Sequence, residues 1–200
     1  MAQSMINRWN YEDGREVQYG ELESYRVACR WLDDVHGTVA DLGCGTGFAR
    51  RFLPNSLYMG VDGSQNDYAS ICGVDLRTYV GKFDCVLLRH VLDHNTEWRQ
   101  ILENAITTFQ KRMALVFFRP FGPKTRVVSV SQCPLYSGVP DLEFCRADFI
   151  PIIGPWVRSE IEIGRRGNTA LVDTIFLMEK PACVLPSPPT QPAGLNPSAN

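Results

Sequence analysis

The feature that most constrains this 200-residue chain is a short segment in which glycine recurs at every second position. Residues 39–47 read VADLGCGTG, an apolar strand end followed by an acid and three glycines. Glycine has no Cβ, so the backbone can turn tightly here and approach a ligand closely. A second apolar stretch, 57–61, ends on Asp62, fifteen residues after Gly47. A glycine-rich turn followed at this distance by an acid is typical of a nucleoside site, because the carboxylate accepts hydrogen bonds from both ribose hydroxyls.

Two kinds of cofactor bind at a turn of this type, and the spacing of the glycines separates them. A dinucleotide-binding turn has the pattern G-x-G-x-x-G, which places a pyrophosphate on the N-terminus of the following helix. In this chain the third glycine, Gly47, comes one position earlier, and Phe48 occupies the dinucleotide position. Asp41 stands just before the turn, where a carboxylate would repel a pyrophosphate but suits a cofactor that carries an ammonium group.

Three segments, in this order, resemble the motifs of class I S-adenosylmethionine (SAM) dependent methyltransferases. Residues 41–47 resemble motif I, residues 58–64 (YMGVDGS) the second motif, and residues 83–94 (FDCVLLRHVLDH) the fourth-strand segment. The resemblance covers residues 35–120 and implies a methyltransferase that uses SAM as its cofactor. The residues that it assigns to the cofactor are Asp41, Gly43, Cys44, Gly45, Gly47, Asp62, Gly63, Ser64, Asp75, Leu76 and Arg89.

One spacing departs from the pattern of the family. In the family, an acid after strand three commonly bonds the adenine amino group, and Asp75 resembles it in local sequence. Only twelve residues separate Asp62 from Asp75, so the helix between strands two and three is reduced to 65–70 or to a turn.

The order of apolar stretches predicts an α/β fold. We expect a doubly wound, mostly parallel seven-stranded sheet with a C-terminal antiparallel hairpin, which is also the fold that the resemblance implies. The predicted strands are 38–42, 57–61, 70–73, 83–88, 113–118, 157–163 and 170–178, and the predicted helices are 19–35, 46–53 and 96–112. These elements form a domain over 19–180, preceded by an irregular arm at 1–18 and followed by a proline-rich, disordered tail at 181–200.

Polar residues that follow strand four are the candidates for catalysis. Ligands of doubly wound sheets bind at the carboxyl ends of the strands, and His90, Asp93 and His94 come directly after the fourth. Histidine has a pKa suited to removing a proton from a hydroxyl nucleophile near neutral pH. Two other roles stay open, because His90 could line the cofactor and His94 could orient the following helix.

The same three residues have i, i+3, i+4 spacing, which places side chains on one face of a helix. Some methyltransferases with a similar segment, Glu-x-x-Glu-His, use metal ions in this region. Here histidine replaces the first glutamate and no fourth ligand is evident, so we assign no metal.

The segment after strand five supplies the predicted acceptor site. Arg119, Phe121 and Tyr136 lie in a proline-rich excursion over the sheet edge. One arginine with several aromatic side chains would recognise an anionic, partly apolar small molecule. The alternative is that the excursion only covers the edge of the sheet.

Composition limits the partners and the compartment. The formal net charge is −2 with acids and bases interspersed, which makes nucleic acid an unlikely partner. No apolar run is long enough to span a membrane, the first nine residues lack a signal-peptide core, and the seven cysteines form no C-x-x-C pair, so we expect a cytoplasmic protein.

The predicted activity is methyl transfer to a small-molecule, sugar or lipid-precursor acceptor. The alternatives are a non-catalytic SAM-binding or regulatory module and a nucleic-acid methyltransferase.

Overall fold

The computed structural model describes residues 21–133, 137–165 and 168–181. Its main sheet has six strands in the order β2-β1-β3-β4-β8-β7, and a separate two-stranded sheet pairs β5 with β6. The strands are β1 Thr38–Leu42, β2 Leu57–Val61, β3 Phe83–Arg89, β4 Phe109–Phe117, β5 Arg126–Val130, β6 Pro140–Glu143, β7 Val157–Arg165 and β8 Asn168–Glu179. The helices are α1 Leu22–Asp33, α2 Trp98–Thr108 and α3 Arg146–Ile153, with short 3₁₀ turns at Phe48–Phe52, Leu92–His94 and Gly154–Trp156.

The first four strands of the main sheet run parallel, and β8 runs antiparallel to both β4 and β7. This confirms the predicted α/β class and the C-terminal antiparallel hairpin, whose turn at 166–167 lies outside the described residues. The predicted irregular arm at 1–18 and almost all of the predicted tail also lie outside them.

The predicted strand at 70–73 is reduced to a single parallel bridge between Val61 and Ile71. A parallel strand needs a crossover connection of about a dozen residues or more, usually a helix, to return to the same edge. The short distance between Asp62 and Asp75 leaves no room for one, and residues 62–82 form turns and bends instead. The main sheet of the described chain therefore has six strands rather than the seven expected.

The sheet is covered on both faces, and the alternation along β3 shows how. Cys85 and Leu87 face the layer that contains α1, while Val86 and Leu88 face the layer that contains α2 and α3. Successive side chains of a strand point to opposite faces, so a strand with helices on both sides is apolar along its length.

The three predicted helices are shorter in the structure, and the one predicted over 19–35 spans Leu22–Asp33. The predicted helix at 96–112 ends at Thr108, because β4 begins at Phe109. The side chain of Phe109 is completely buried in the core. The predicted helix at 46–53 is a 3₁₀ turn over Phe48–Phe52. No helix in the described part of the chain is long and apolar enough to cross a lipid bilayer.

Candidate functional site

A cavity lies at the carboxyl ends of β1, β2 and β3. Ten of the eleven residues assigned to the cofactor line it, and Gly47 does not. Its lining consists of Tyr25, Asp41, Gly43, Cys44, Gly45, Ala49, Asp62, Gly63, Ser64, Val74, Asp75, Leu76, Arg77, Leu87, Arg89, His90, Val91, His94, Asn95, Thr96, Glu97 and Ile101.

The glycine turn that forms one wall has a left-handed backbone. Gly43, Gly45 and Gly47 have φ angles of 74°, 55° and 66°, in the region that side chains with a Cβ rarely adopt. A Cβ at Gly43 would lie 2.5 Å from Cγ2 of Val91. The amide of Gly43 also donates to the carbonyl of Val61 at 2.7 Å, which ties the turn to the end of β2. The turn therefore requires glycine for both conformation and space.

Asp62, at the end of β2, holds the turn from the other side. One carboxylate oxygen accepts from the amide of Gly45 and the other from the amide of Ser64, each at 2.8 Å. The side chain is buried, and burial raises its pKa against the opposing effect of these two amides. Asp62 thus fixes the shape of the turn while it faces the cavity.

Asp41, at the end of β1, is the second buried carboxylate of the cavity. The hydroxyl of Tyr58 donates to it at 2.8 Å. Burial raises the pKa of Asp41 to about 7, although the Tyr58 hydrogen bond and the charge of Arg89 both lower it. The sequence analysis did not single out Tyr58, since a tyrosine in a strand gives no local sign of such a partner.

Asp75 lies where the family pattern expects an acid, but its carboxylate is engaged by a neighbour. Nε of Arg77 donates to both oxygens of Asp75 at 2.9 Å, and this pairing lowers the pKa of the acid. The amide side chain of Asn104, on α2, donates to the carbonyl of Leu76 at 3.0 Å. Contacts with α2 therefore fix the segment around Asp75 and Leu76, which has no crossover helix to support it.

Arg89, at the end of β3, is buried and joins three elements. Its Nη2 lies 2.9 Å from the hydroxyl of Ser24 and 3.5 Å from a carboxylate oxygen of Asp173. Its guanidinium stacks 3.7 Å from the centre of the Tyr25 ring. Tyr25 and Ser24 come from α1 and Asp173 from β8, so three distant segments meet at this end of the sheet.

His90, the next residue, faces the same acid. Its Nε2 lies 3.3 Å from the other carboxylate oxygen of Asp173, which is fully buried. The backbone of His90 has a φ of 56°, and its amide donates to the carbonyl of Val116 on β4 at 2.9 Å. Asp173 was not predicted as a site residue, because nothing in its local sequence distinguishes it from an ordinary strand residue.

The other two predicted catalytic residues point to different partners. His94 lines the cavity, and its Nδ1 lies 3.1 Å from the carbonyl of Pro140 and 3.2 Å from a carboxylate oxygen of Asp141. Asp93 is buried outside the lining, where burial raises its pKa to about 7 and the amide of Phe118 lies 3.4 Å away.

These three residues do not lie on one helical face, because His90 precedes the 3₁₀ turn Leu92–His94 and has a left-handed φ of 56°. Among the residues that the structure describes, no group of three or more His, Cys, Asp or Glu side chains could hold a metal ion.

Arg119 and Phe121, two of the three predicted acceptor residues, are not among the residues that line the cavity. Arg119 pairs with Asp141 at 2.8 Å and does not line the cavity. Phe121 packs among core aromatics, with ring centres 5.5 Å from Phe117 and 5.2 Å from Phe149. Tyr136 lies outside the described residues.

The sequence analysis also missed polar residues that lead into α2. Asn95, Thr96 and Glu97 line the cavity directly after His94. Their position past strand four was the available signal, since it places them at the same edge of the sheet.

Comparisons with known proteins agree with this architecture. No protein-family model and no curated protein matches the chain. Among solved structures, it is similar to the 1,6-didemethyltoxoflavin-N1-methyltransferase of Burkholderia thailandensis with bound 1,6-didemethyltoxoflavin and S-adenosylhomocysteine, with a TM-score of 0.66, 16% identity, and coverage of 85% of this chain and 83% of that one. It is also similar to the magnesium protoporphyrin IX methyltransferase of Synechocystis with bound SAM, with a TM-score of 0.56, 15% identity, and coverage of 86% and 89%. The chain has the fold of the class I SAM-dependent methyltransferases.

Proposed function

We propose that the protein is a SAM-dependent methyltransferase that acts on a small-molecule acceptor. The observation that carries the proposal is one cavity shared by a glycine turn, two buried carboxylates and a histidine that contacts a buried acid. The glycine turn and the two carboxylates suit a nucleoside with a cationic group, and the histidine suits proton removal next to it.

Each part of the cofactor has residues of the cavity that suit it. Asp62 would accept hydrogen bonds from the ribose hydroxyls, because its carboxylate keeps free lone pairs after it has accepted from two backbone amides. Asp41 would take the ammonium group, since a buried carboxylate gains most from a cation that enters with the ligand. Asp75 and the backbone of Leu76 would contact the base, and the apolar side chains of Val74 and Ile101 line the same space.

SAM, when bound, supplies a methyl group on a positively charged sulfur that is already a good leaving group. The protein then has to orient the acceptor, exclude water and remove a proton from an acceptor that carries one. We propose His90, Asp93 and His94 as the catalytic region. His90 and His94 line the cavity, and Asp93 lies buried behind them.

The names of the similar structures support a small acceptor. One was solved with a toxoflavin precursor and the other is named for a magnesium porphyrin. Both names refer to small molecules rather than to a nucleic acid or a protein, and we propose an acceptor of that class for this chain.

The proposal is tested by incubating the protein with SAM and a metabolite extract and searching by mass spectrometry for the mass gain of one methyl group. We expect a methylated product with the wild-type protein and with Asp34→Asn, a control at an exposed acid beyond α1. We expect none with Asp62→Ala, which removes the acid between the turn and the ribose. A protein that binds SAM but methylates nothing would instead be a SAM-binding module.

A further inference from the structure

Arg119, which was predicted to bind an anionic acceptor, and Arg89, which was assigned to the cofactor, are both engaged by carboxylates. Arg89 contacts Asp173 and stacks on Tyr25, and Arg119 contacts Asp141 outside the cavity. We propose, on the basis of the proposed function, that the acceptor is an uncharged molecule with an O–H or N–H group. We propose further that His90 removes this proton and that Asp173 is the residue that positions His90.

The charges of the cavity favour an uncharged acceptor. Four acids line it, namely Asp41, Asp62, Asp75 and Glu97. The two arginines of the lining, Arg77 and Arg89, each contact a carboxylate. An anionic acceptor would have to separate one of these pairs and approach the remaining acids, which is unfavourable in a partly desolvated site. An uncharged acceptor enters without either cost.

The placement of His90 suits a base with a fixed orientation. Its amide is tied to β4 through Val116, and its ring faces Asp173 on β8. Its left-handed φ is uncommon for a residue with a side chain, and such conformations cluster at functional sites. The contact of 3.3 Å between Nε2 and Asp173 places a fixed negative charge beside the ring.

The proton transfer balances with these groups. The O–H or N–H bond of the acceptor breaks and its proton passes to the imidazole of His90, for which we propose Nδ1 as the receiving nitrogen because Nε2 lies 3.3 Å from Asp173. The electron pair left on the acceptor atom forms the new bond to the methyl carbon. The pair of the broken carbon–sulfur bond stays on sulfur, which loses its positive charge. Asp173 stabilises the imidazolium that results.

Other charged groups close to Asp173 also influence the protonation of His90. Arg89 approaches the same acid from β3, and Asp93 interacts with Asp173 through its charge. The ring of Phe118 lies between the two histidines, with centres 5.3 Å from His90 and 5.1 Å from His94. Asp173 is the carboxylate in direct contact with His90, so its removal is the sharpest test.

Nuclear magnetic resonance of the histidine rings tests the positioning role without knowledge of the acceptor, since the chain has only three histidines. We expect His90 in the wild-type protein to carry its proton on Nε2 when neutral. Asp173→Asn should lower the midpoint of the His90 titration by about half a pH unit or more. Asp141→Asn, which alters the acid that faces His94, should leave the His90 midpoint unchanged. A proton on Nδ1, or an unchanged midpoint in Asp173→Asn, would overturn the positioning role.

Methyl transfer tests the acceptor class. A metabolite extract is passed through an anion exchanger and then a cation exchanger, and the two bound fractions and the unbound fraction are each incubated with the protein and labelled SAM. We expect incorporation in the unbound fraction, with a loss of at least about tenfold in His90→Ala and Asp173→Asn. SAM affinity should stay at the wild-type value in Asp173→Asn when it is measured below the melting temperature of the variant, which is lowered because Arg89 loses its buried carboxylate.

Incorporation confined to the bound fractions would overturn the uncharged acceptor, and unchanged turnover in Asp173→Asn would overturn the role of that residue. A wild-type protein without SAM affinity would contradict the proposed function itself, which separates the two failures.

Discussion

The two halves of the cavity are built in different ways. We call Asp41, Gly43, Gly45 and Asp62, at the ends of β1 and β2, the cofactor rim. We call Arg89 and His90, at the end of β3, together with their partner Asp173 from within β8, the acceptor rim. The contacts of Asp62 in the cofactor rim join residues 2 and 17 positions apart. Those of Arg89 in the acceptor rim join residues 65 and 84 positions apart.

This difference in sequence separation has a functional consequence. A site made by one strand–turn–strand segment depends on a local motif, so changes to the motif should disrupt it directly. A site assembled from α1, β3 and β8 depends on the fold, and its chemistry can change by substitution on a distant strand. We therefore expect cofactor binding and acceptor turnover to separate cleanly in variants.

The largest effect is expected for Gly43→Ala in the cofactor rim. The substitution places a Cβ 2.5 Å from Val91 on a backbone with φ of 74°. Strain at such a position costs about 1–3 kcal/mol and overpacking adds about as much. We expect SAM affinity to fall by at least about tenfold, measured by calorimetry, and the free energy of unfolding to fall by about 2 kcal/mol or more.

Gly164→Ala is the matched control. A Cβ at Gly164 meets nothing within 4 Å, so its effect on the free energy of unfolding should stay within about 0.5 kcal/mol. Equal effects of the two variants would contradict the distinction between a motif that requires glycine and an ordinary strand position.

A smaller effect on SAM affinity is expected from a change of pH, because two buried carboxyl groups titrate. These are Asp41 of the cofactor rim and Asp93, which lies near the acceptor rim. Burial raises the pKa of each from 3.8 to about 7. Since the ammonium group prefers the ionised form of Asp41, SAM affinity should rise by up to about tenfold between pH 6 and pH 8. Asp41→Asn should remove this rise, and Asp93→Asn should leave it in place.

The stability of the protein should change with pH in the opposite direction. A carboxyl whose pKa is raised on folding stabilises the folded state fully below the unfolded pKa of 3.8, and this stabilisation is lost as the pH rises to about 7. Asp41→Asn and Asp93→Asn should therefore each raise the melting temperature at pH 8, by about 3 °C or more. A lower melting temperature at pH 8 would indicate that these carboxylates are stabilised by groups beyond those considered.

The smallest effect is expected for removal of the predicted tail. Truncation after Lys180 should change the melting temperature by less than about 2 °C and leave SAM affinity unchanged, since a proline-rich segment without periodic apolar residues has little to bury. Lys180 itself is kept, because its side chain donates to the carbonyl of Ile106 at 2.9 Å and anchors the end of β8. A larger fall would show that the tail packs on the domain.

The sequence predicted that the residues of the cofactor rim lie together, because each structural requirement of the turn is local. The left-handed φ angles of the turn, the acid that closes β2 and the alternation of apolar residues all leave patterns within a few dozen residues. The structure accordingly brings Asp41 and Asp62 to one cavity as the motif predicts.

The acceptor rim was less predictable because its partners come from distant strands. His90 was found by its position after strand four, but the acid beside it lies on β8 and has no motif. Arg119 and Phe121 were assigned to the acceptor from composition, and the structure directs one to Asp141 and the other to the aromatic core. Composition does not show which way a side chain in an irregular segment points.

Titration calorimetry of the intact protein with SAM and with S-adenosylhomocysteine tests the central claim most directly. We predict micromolar affinity for both, and a loss of at least about tenfold in Asp62→Ala, because that variant removes hydrogen bonds to a charged group worth about 1.5–3 kcal/mol each. Asp34→Asn should bind like the wild-type protein. No measurable affinity for SAM in the folded protein, together with tight binding of NAD, would contradict the account.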